Sequence, residues 1–276
     1  MSASRSRRGR ATAERVSPPD PRNEALGLLY GLVGVAAFSL TLPATRAAVA
    51  DLYPAFVALG RCVAAAVAAG ALLAASRTPF PPRRHWSGLA IVVGGVILGF
   101  PLFSAIAMRH VPATHGAIVL GILPLATAAA ATLRGGERPS FGFWLAAIAG
   151  SGLVAAYALW QGAGALQLAD AALLVAVAAG ALGYAEGGRL SRELGGWQVI
   201  SWALVLSAPL LMAPLAWTVA THRVAASPQA WIGFAYVALV SQFLGFFPWY
   251  KGLALGGVAR VGQLQLLQPF LTLVAS

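Results

Sequence analysis

Long apolar runs separated by short polar segments dominate the chain from residue 25 onward. A helix that crosses a bilayer needs about 20 mostly apolar residues, and nine runs approach that length. They are Ala25–Pro43, Pro54–Ala75, Leu89–Met108, Ala113–Leu133, Phe143–Trp160, Ala171–Arg189, Val199–Val219, Trp231–Tyr250 and Ala259–Ser276. The runs are uniformly apolar, whereas the strands of a membrane barrel alternate. The pattern predicts an all-α fold, a polytopic membrane helix bundle with nine visible spans.

The composition agrees with a location in lipid. Of the 276 residues, 59% are hydrophobic and only 10% are charged. A soluble domain carries about 25% charged residues. Too few polar residues are therefore present to cover a water-soluble surface.

The net charge of +11 is concentrated between the runs and in the first 22 residues. Residues 1–24 hold six arginines and are predicted to be a disordered basic tail. With this tail in the cytoplasm, fifteen basic residues lie on the cytoplasmic side and three on the other. The positive-inside rule thus predicts a cytoplasmic N-terminus, and this placement argues against nucleic acid as a partner. The excess of Ala, Gly and Arg over Ile, Asn and Lys indicates a bacterium with a GC-rich genome as the host. The predicted location is therefore the bacterial inner membrane.

Two landmarks recur along the chain at a nearly constant separation. Leu98–Phe100 recurs as Leu244–Phe246 at an offset of 146, and Pro124 recurs as Pro269 at an offset of 145, each proline with Thr three residues later. Chance similarity between Ala- and Leu-rich helices is the alternative. A repeat of about five helices is odd-numbered, so its second copy would enter the membrane from the opposite side. In such inverted repeats the substrate site lies near the bilayer midplane between the halves.

Several short segments carry a family resemblance through their order and spacing. They are Phe38–Arg46, Ala117–Leu125, Gly136–Arg138, Gly150 and Gly262–Pro269. Over about residues 25–276 the chain resembles an EamA-type transporter of the drug/metabolite transporter superfamily, a family of ten helices in an inverted repeat. The resemblance implies a first repeat at residues 25–163 and a second at 164–276. The second is expected to be truncated, because the chain ends at Ser276, before a tenth helix.

These features predict a secondary transporter or exporter of a small metabolite, amino acid or drug-like molecule that works by alternating access. Its partners would be a small-molecule substrate and the lipid bilayer, with H⁺ as a candidate coupling ion and a homodimer as a candidate assembly. The alternatives are a non-transporting membrane scaffold and an integral membrane enzyme acting on a lipid-linked substrate. The sequence holds no P-loop or metal-binding HExxH motif, and its single cysteine, Cys62, excludes CxxC chemistry. We therefore expect no cofactor, no metal and no enzymatic activity.

Arg61 is the one basic residue well inside a run. An intramembrane arginine costs roughly 2.5–3.5 kcal/mol on insertion scales and usually faces a cavity or a partner. Arg61 is accordingly interpreted as an anchor for an anionic group of the substrate, such as a carboxylate. The alternative is an interfacial arginine that extends its head group to the membrane surface or bonds a helix-end carbonyl.

The acidic residues suggest where a proton could be carried. Glu186 is the only carboxylate well inside a run and, with Lys251, is a candidate for proton coupling. In the alternative, Glu186 pairs with Arg189 as i,i+3 neighbours, and Lys251 caps a helix C-terminus or pairs with Glu186. Three other carboxylates are expected to be solvated in loops: Asp51, Asp170 and Glu137.

Polar and aromatic side chains in or beside the runs supply further substrate-binding candidates. Gln265 and Gln268 share a helix face, which should point inward because amides facing lipid are costly. The other candidates are Ser39, Thr41, Gln242 and Trp249. Such groups could instead bond neighbouring helices. Tyr250 lies at the end of a run and is expected to belong to an aromatic belt at the membrane interface.

Four prolines interrupt the runs in both halves and are candidate hinges, because proline removes a backbone donor. They are Pro101, Pro124, Pro248 and Pro269. The alternative is that each proline only bends its helix for packing. Gly95 and Gly99, four residues apart, would permit a close helix contact.

Overall fold

The computed structural model describes residues 21–160 and 168–274, and these form a bundle of nine helical rods. The rods are α1 (Pro21–Asp51), α2 (Pro54–Ala75), α3 (Arg83–Met108), α4 (113–135), α5 (Phe141–Trp160), α6 (Leu168–Leu194), α7 (Gly196–Thr221), α8 (Pro228–Gly256) and α9 (258–274). As far as the structure describes them, all nine predicted runs are helical. Most of the basic tail predicted at residues 1–24 lies outside the described residues, although α1 already begins at Pro21.

Six of the rods are long and apolar enough to cross a membrane, and α4 and α5 contain the shorter apolar helices Leu120–Arg134 and Phe141–Val154. The largest difference from the predicted runs is in α1, which passes through a turn at Leu40 and continues to Asp51. Pro43 is tolerated there because it lies in the first turn of the second segment, where backbone N–H groups have no helical partner in any case.

Successive rods run antiparallel, so alternate rods begin at opposite ends of the bundle. We call the side where α1 begins the N-terminal side. The end of α6 lies there too, since Glu193 contacts His85 at the start of α3 and Arg192 contacts Glu137 after α4. The rod α6 consequently starts on the opposite side. The second half therefore traverses the bundle in the inverse sense to the first.

The two halves also share their helical irregularities. Seven π-helical residues, Val93–Gly99, interrupt α3, and nine, Tyr236–Leu244, interrupt α8. Likewise a 3₁₀ turn at Leu120–Ile122 interrupts α4, and one at Gln263–Leu267 interrupts α9. Their first residues lie 143 apart and their last residues 145 apart in both pairs. This spacing is close to that of the sequence landmarks and supports the inverted repeat.

Glycines bring α1 and α8 into backbone contact. A Cβ added to Gly27 would lie 2.5 Å from the amide nitrogen of Gly256, and one added to Gly252 would lie 2.7 Å from that of Gly31. Both helices thus use a pair of glycines four residues apart. Such small residues let helices approach in lipid, where van der Waals packing replaces the hydrophobic effect.

The same arrangement joins α3 to α6, the pair related to α8 and α1 by the repeat. A Cβ on Gly95 would lie 2.5 Å from the carbonyl oxygen of Ala179, and one on Gly99 would lie 2.5 Å from the Ala179 Cβ. The close contact predicted for Gly95 and Gly99 is confirmed. Each of these two crossings joins one helix from each half.

We expect Gly27→Ala to destabilise the protein by about 1–3 kcal/mol, because the added methyl group meets backbone that cannot move away. The measurement is thermal unfolding in detergent. Gly152→Ala on α5 is the matched control, since a Cβ there meets no atom within 4 Å. It should be neutral or slightly stabilising. Equal melting temperatures for the two variants would contradict the backbone contact.

Candidate functional site

A small enclosed cavity lies near the middle of the bundle, between the two halves. It is lined by side chains of α1, α2 and α3 from the first half and of α6, α8 and α9 from the second. The lining residues are Phe38, Thr41, Arg61, Val96, Phe100, Tyr184, Ser241, Gln242, Phe246 and Gln268. About 10 Å³ is open to the centres of water molecules, which is room for about one water. The cavity is therefore narrow in this structure.

Arg61 reaches this cavity from α2 and is only 2% exposed. Its Nη2 donates to the Ser241 hydroxyl at 3.1 Å, and that hydroxyl lies 2.8 Å from the hydroxyl of Thr41. Its Nε and Nη1 are buried and have no hydrogen-bond partner among the described residues. Arg61 thus stays in the interior and does not extend to the membrane surface. It is a buried cation facing a cavity with part of its donor capacity free.

Gln242 joins the two π-helical segments. Its Nε2 donates to the carbonyl oxygen of Val96 at 3.0 Å. These residues are 146 positions apart, the same as the repeat offset. Residues related by the repeat can touch each other only beside the pseudo-two-fold axis between the halves. The cavity therefore lies at that axis.

Aromatic rings from α1, α6 and α8 close the cavity toward the N-terminal side. Phe38 lies 5.0 Å from Phe246 and 5.9 Å from Trp249, and Tyr184 lies 5.4 Å from Trp249, between ring centroids. Along α8 these rings follow Gln242 in the direction of the N-terminal side. With Tyr250, whose ring lies 5.1 Å from that of Phe246, they form what we call the aromatic layer.

Two members of the aromatic layer differ from their predicted surroundings. Tyr250 is completely buried, and its hydroxyl donates to the carbonyl oxygen of Gly183 at 3.2 Å. The prediction of an interfacial belt residue is wrong for Tyr250, because the helix extends six residues beyond it to Gly256. Trp249 is equally buried, with no hydrogen-bond partner for its Nε1 in the protein. It packs behind the cavity wall and does not line it.

Prolines free backbone carbonyls near the cavity, and side chains of other helices bond them. Pro43 cannot donate to the carbonyl of Ser39, which instead accepts from the Thr272 hydroxyl at 2.7 Å. Pro101 cannot donate to the carbonyl of Ile97, which accepts from the Cys62 thiol at 3.1 Å. The fold thereby satisfies groups that would be costly in lipid.

The remaining substrate candidates lie beside the cavity or line it while also bonding the fold. Ser39 donates its hydroxyl to the carbonyl of Ala36 at 2.7 Å. Gln268 lines the cavity and donates to the carbonyl of Phe38 at 3.4 Å. Gln265 is buried, and its side-chain amide lies beside the Tyr184 hydroxyl. The hinge candidates Pro124, Pro248 and Pro269 lie in α4, α8 and α9, and their role remains a prediction.

Glu186 lies farther toward the N-terminal side than the aromatic layer and does not line the cavity. Its carboxylate accepts from Arg189 at 2.6 Å and lies 3.5 Å from the Nε of Arg134. The i,i+3 alternative thus describes its contacts, with a second arginine added. Lys251 does not contact it, and its Nζ donates to the Tyr30 hydroxyl at 3.0 Å.

Two carboxylates expected to be solvated are engaged instead. Asp170 is 5% exposed and lies 2.6 Å from the Nε2 of His115. Glu137 accepts from the backbone N–H groups of Val258 and Ala259 at 2.9 and 2.8 Å, and it also pairs with Arg192. It therefore caps α9, whose own N-cap, Gly257, has no side chain to do so. The glycine at this N-cap position is the signal in the sequence that a side chain from another part of the protein caps the helix.

Within residues 21–160 and 168–274, no three His, Cys, Asp or Glu side chains converge to hold an ion.

A multi-pass bundle whose inverted halves enclose a polar cavity is the architecture of membrane transporters. The EamA-like transporter family matches this sequence twice, over residues 25–157 and 167–276. The chain therefore belongs to the EamA-like transporter family, as its resemblance indicated. A relative from Bacillus subtilis (strain 168), named uncharacterized transporter YdeK, is 50% identical over 249 residues, which are 90% of this chain and 86% of the relative.

A solved crystal structure shares the fold. The two chains superpose with a TM-score of 0.70 at 18% sequence identity, and the match covers 90% of this chain and 88% of the other.

Replacing Gln242 by Met should remove the bond between the π-helical segments while keeping a side chain of similar size. We expect a loss of about 0.5–1.5 kcal/mol, because the Val96 carbonyl loses its partner. Unfolding in detergent measures this loss. Gln263→Met is the control, since its amide makes only long contacts of 3.4 and 3.5 Å. A control variant as unstable as Gln242→Met would count against the proposed link.

Proposed function

We propose that this protein is a secondary transporter that moves a small metabolite, amino acid or drug-like molecule across the bacterial inner membrane by alternating access. The two repeats, residues 25–163 and 164–276, would expose the central cavity to each side in turn. The observation that carries this proposal is the polar cavity on the axis between the halves. Arg61, Thr41, Gln242 and Gln268 would contact the substrate.

The closed cavity fits an occluded stage of such a cycle. Toward the N-terminal side it is covered by the aromatic layer and then by ion pairs that join the two halves. These pairs are Glu186 with Arg134, Glu137 with Arg192, Glu193 with Arg84 and His85, and Glu24 with Arg260. Toward the opposite side, the two halves are joined by His115 at the start of α4 and Asp170 at the start of α6, which lie 2.6 Å apart. Opening would require only one of these two sets of contacts to separate.

The charge distribution supports a cytoplasmic location for the N-terminal side, because the basic residues cluster there. The transporter name of the 50% identical Bacillus subtilis relative supports transport in a bacterial membrane. A scaffold would have no need for a buried arginine in a cavity. A membrane enzyme would need acid–base residues gathered at one site, whereas no carboxylate among the described residues lines this cavity. The homodimer remains a candidate assembly.

Alternating access predicts that a thiol in the cavity meets water from both sides of the membrane. In a Cys62→Ser background, which keeps a donor for the Ile97 carbonyl, we expect Val96→Cys to react with a membrane-impermeant thiol reagent. It should do so in inside-out and in right-side-out vesicles, with mass spectrometry measuring the modified fraction.

Two further cysteines control this experiment. Val67→Cys, whose native side chain is 70% exposed to lipid on α2, should stay unmodified from either side. Arg223→Cys in the loop after α7 should react only from outside the cell and so report vesicle orientation. A cavity cysteine that reacts from one side alone, or from neither, would refute alternating access.

Glu186 and Lys251 remain the candidates for proton coupling, but the contacts of Glu186 favour a structural role. Two arginines contact its carboxylate, at 2.6 and 3.5 Å, and its replacement would remove both ion pairs. We expect Glu186→Gln to lower the melting temperature while flux still responds to a pH gradient in proteoliposomes. Lys251→Met is the comparison variant, because it removes only one exposed hydrogen bond, from Lys251 to the Tyr30 hydroxyl. Loss of the pH response with unchanged stability would instead assign proton coupling to Glu186.

A further inference from the structure

We propose that the transported substrate carries a carboxylate that binds Arg61, on an apolar body that lies against the aromatic rings of the cavity. This inference rests on the proposed transport function and narrows it to organic anions and amino acids. It excludes organic cations and neutral compounds as the substrate class.

The first argument is the incomplete bonding of Arg61. A guanidinium group has five N–H donors, and the protein engages Nη2 only, through a neutral hydroxyl. Nε and Nη1 remain buried at the cavity without an acceptor from the protein. Hydrogen bonds between a guanidinium group and a carboxylate are about twice as strong as neutral ones and are often bidentate. A carboxylate is the ligand that best completes this set of donors.

The second argument is that no acid in the described part of the chain neutralises Arg61. All six carboxylates there have other partners, most of them toward the two sides of the membrane. They are Glu24 with Arg260, Asp51 with the Ser227 N–H, Glu137 with Arg192, Asp170 with His115, Glu186 with Arg189, and Glu193 with His85. The central charge is thus left for the substrate to balance. A cationic substrate would meet repulsion with no opposing carboxylate.

The third argument sets the size of the anionic charge. Arg61 is the only Lys, Arg or His among the residues that line the cavity. One guanidinium group balances one carboxylate, whereas a phosphate ester carries about −1.5 to −2 at neutral pH and would need a second cation. The side-chain amide nitrogens of Gln242 and Gln268 already donate to backbone carbonyls. The second N–H of each amide stays available to a ligand, but it is neutral and cannot balance a second negative charge.

The fourth argument concerns the rest of the ligand. Phe38, Phe100, Tyr184 and Phe246 line the cavity beside Arg61. Aromatic faces of this kind bury apolar groups and also attract an ammonium group through cation–π contacts. A monocarboxylate and a zwitterionic amino acid of the same body therefore both fit. Their common feature is the carboxylate.

The test compares ligands that share a body and differ in one group. The purified protein in detergent would be titrated with 3-phenylpropionate, its amide, 3-phenylpropylamine and phenylalanine. A second series would compare the carboxylate, amide, amine and amino acid that share one aliphatic body. Tryptophan fluorescence, which Trp249 behind the cavity wall should report, measures binding. We expect carboxylates to bind at least about tenfold more tightly than their amides, because the amide loses a charge-assisted bond. The amines should not bind. Preference for phenylalanine over 3-phenylpropionate would indicate an amino acid, and the reverse a simple organic anion.

Variants locate the binding determinant. Arg61→Gln should weaken carboxylate binding about tenfold to a hundredfold, and Arg61→Lys should recover part of it by keeping the charge. Arg223→Gln, at an exposed arginine in a loop, is the matched control and should bind as the unmodified protein does. The comparison of carboxylate with amide needs no variant, so it stands even where Arg61→Gln fails to fold.

The outcomes separate this inference from the transport function. Amides or amines that bind as tightly as carboxylates, or undiminished carboxylate binding by folded Arg61→Gln, would overturn the inference. Flux of cations or neutral compounds in proteoliposomes, with no carboxylate carried, would overturn it and leave transport standing. Carboxylate binding that depends on Arg61, without flux of any bound compound, would support the site and contradict transport.

Discussion

A backbone carbonyl inside a bilayer has no water to bond, and this constraint shapes the centre of the molecule. Helices can be interrupted in lipid only where another part of the protein supplies the missing partner. Here Thr272 bonds the carbonyl released by Pro43, and Cys62 bonds the one released by Pro101. Each interrupted segment must therefore face another helix. The irregular turns of both repeats consequently gather at the axis between them, and the polar cavity arises where they meet.

Close glycine contacts determine which helices can separate around that cavity. The crossings of α1 with α8 and of α3 with α6 each join one helix from each repeat at backbone distance. Packed backbones have few intermediate arrangements, so each pair should move as a unit. In the proposed transport cycle, rearrangement around the cavity would take place between these pairs and their neighbours. A repeat would then be a unit of sequence and topology, while each moving body would combine helices of both repeats.

The sequence predicts local features of this fold better than partnerships between distant residues. The length of the hydrophobic runs was sufficient to predict the nine rods. The close contact at Gly95 could be predicted from the small size of glycine alone. The continuation of α1 beyond Pro43 was missed because proline is equally compatible with a helix end and with the first turn of the next helix. Asp170 and Glu137 were expected in water because their partners lie 55 and 121 residues away in the chain. Only tertiary packing brings such groups together, so their neutralisation could not be read from hydropathy.

The order of contacts on the N-terminal side explains how a closed cavity could open at modest cost. The half-exposed ion pairs nearest the surface contribute about 0–1 kcal/mol each, and each aromatic pair beneath them contributes about 0.5–1.5 kcal/mol beyond its buried area. No single contact therefore dominates the closure. A ligand that bonds Arg61 on α2 and packs against Phe246 on α8 would touch both repeats at once. It could thereby shift the balance between open and closed states without any large change in the structure of the individual helices.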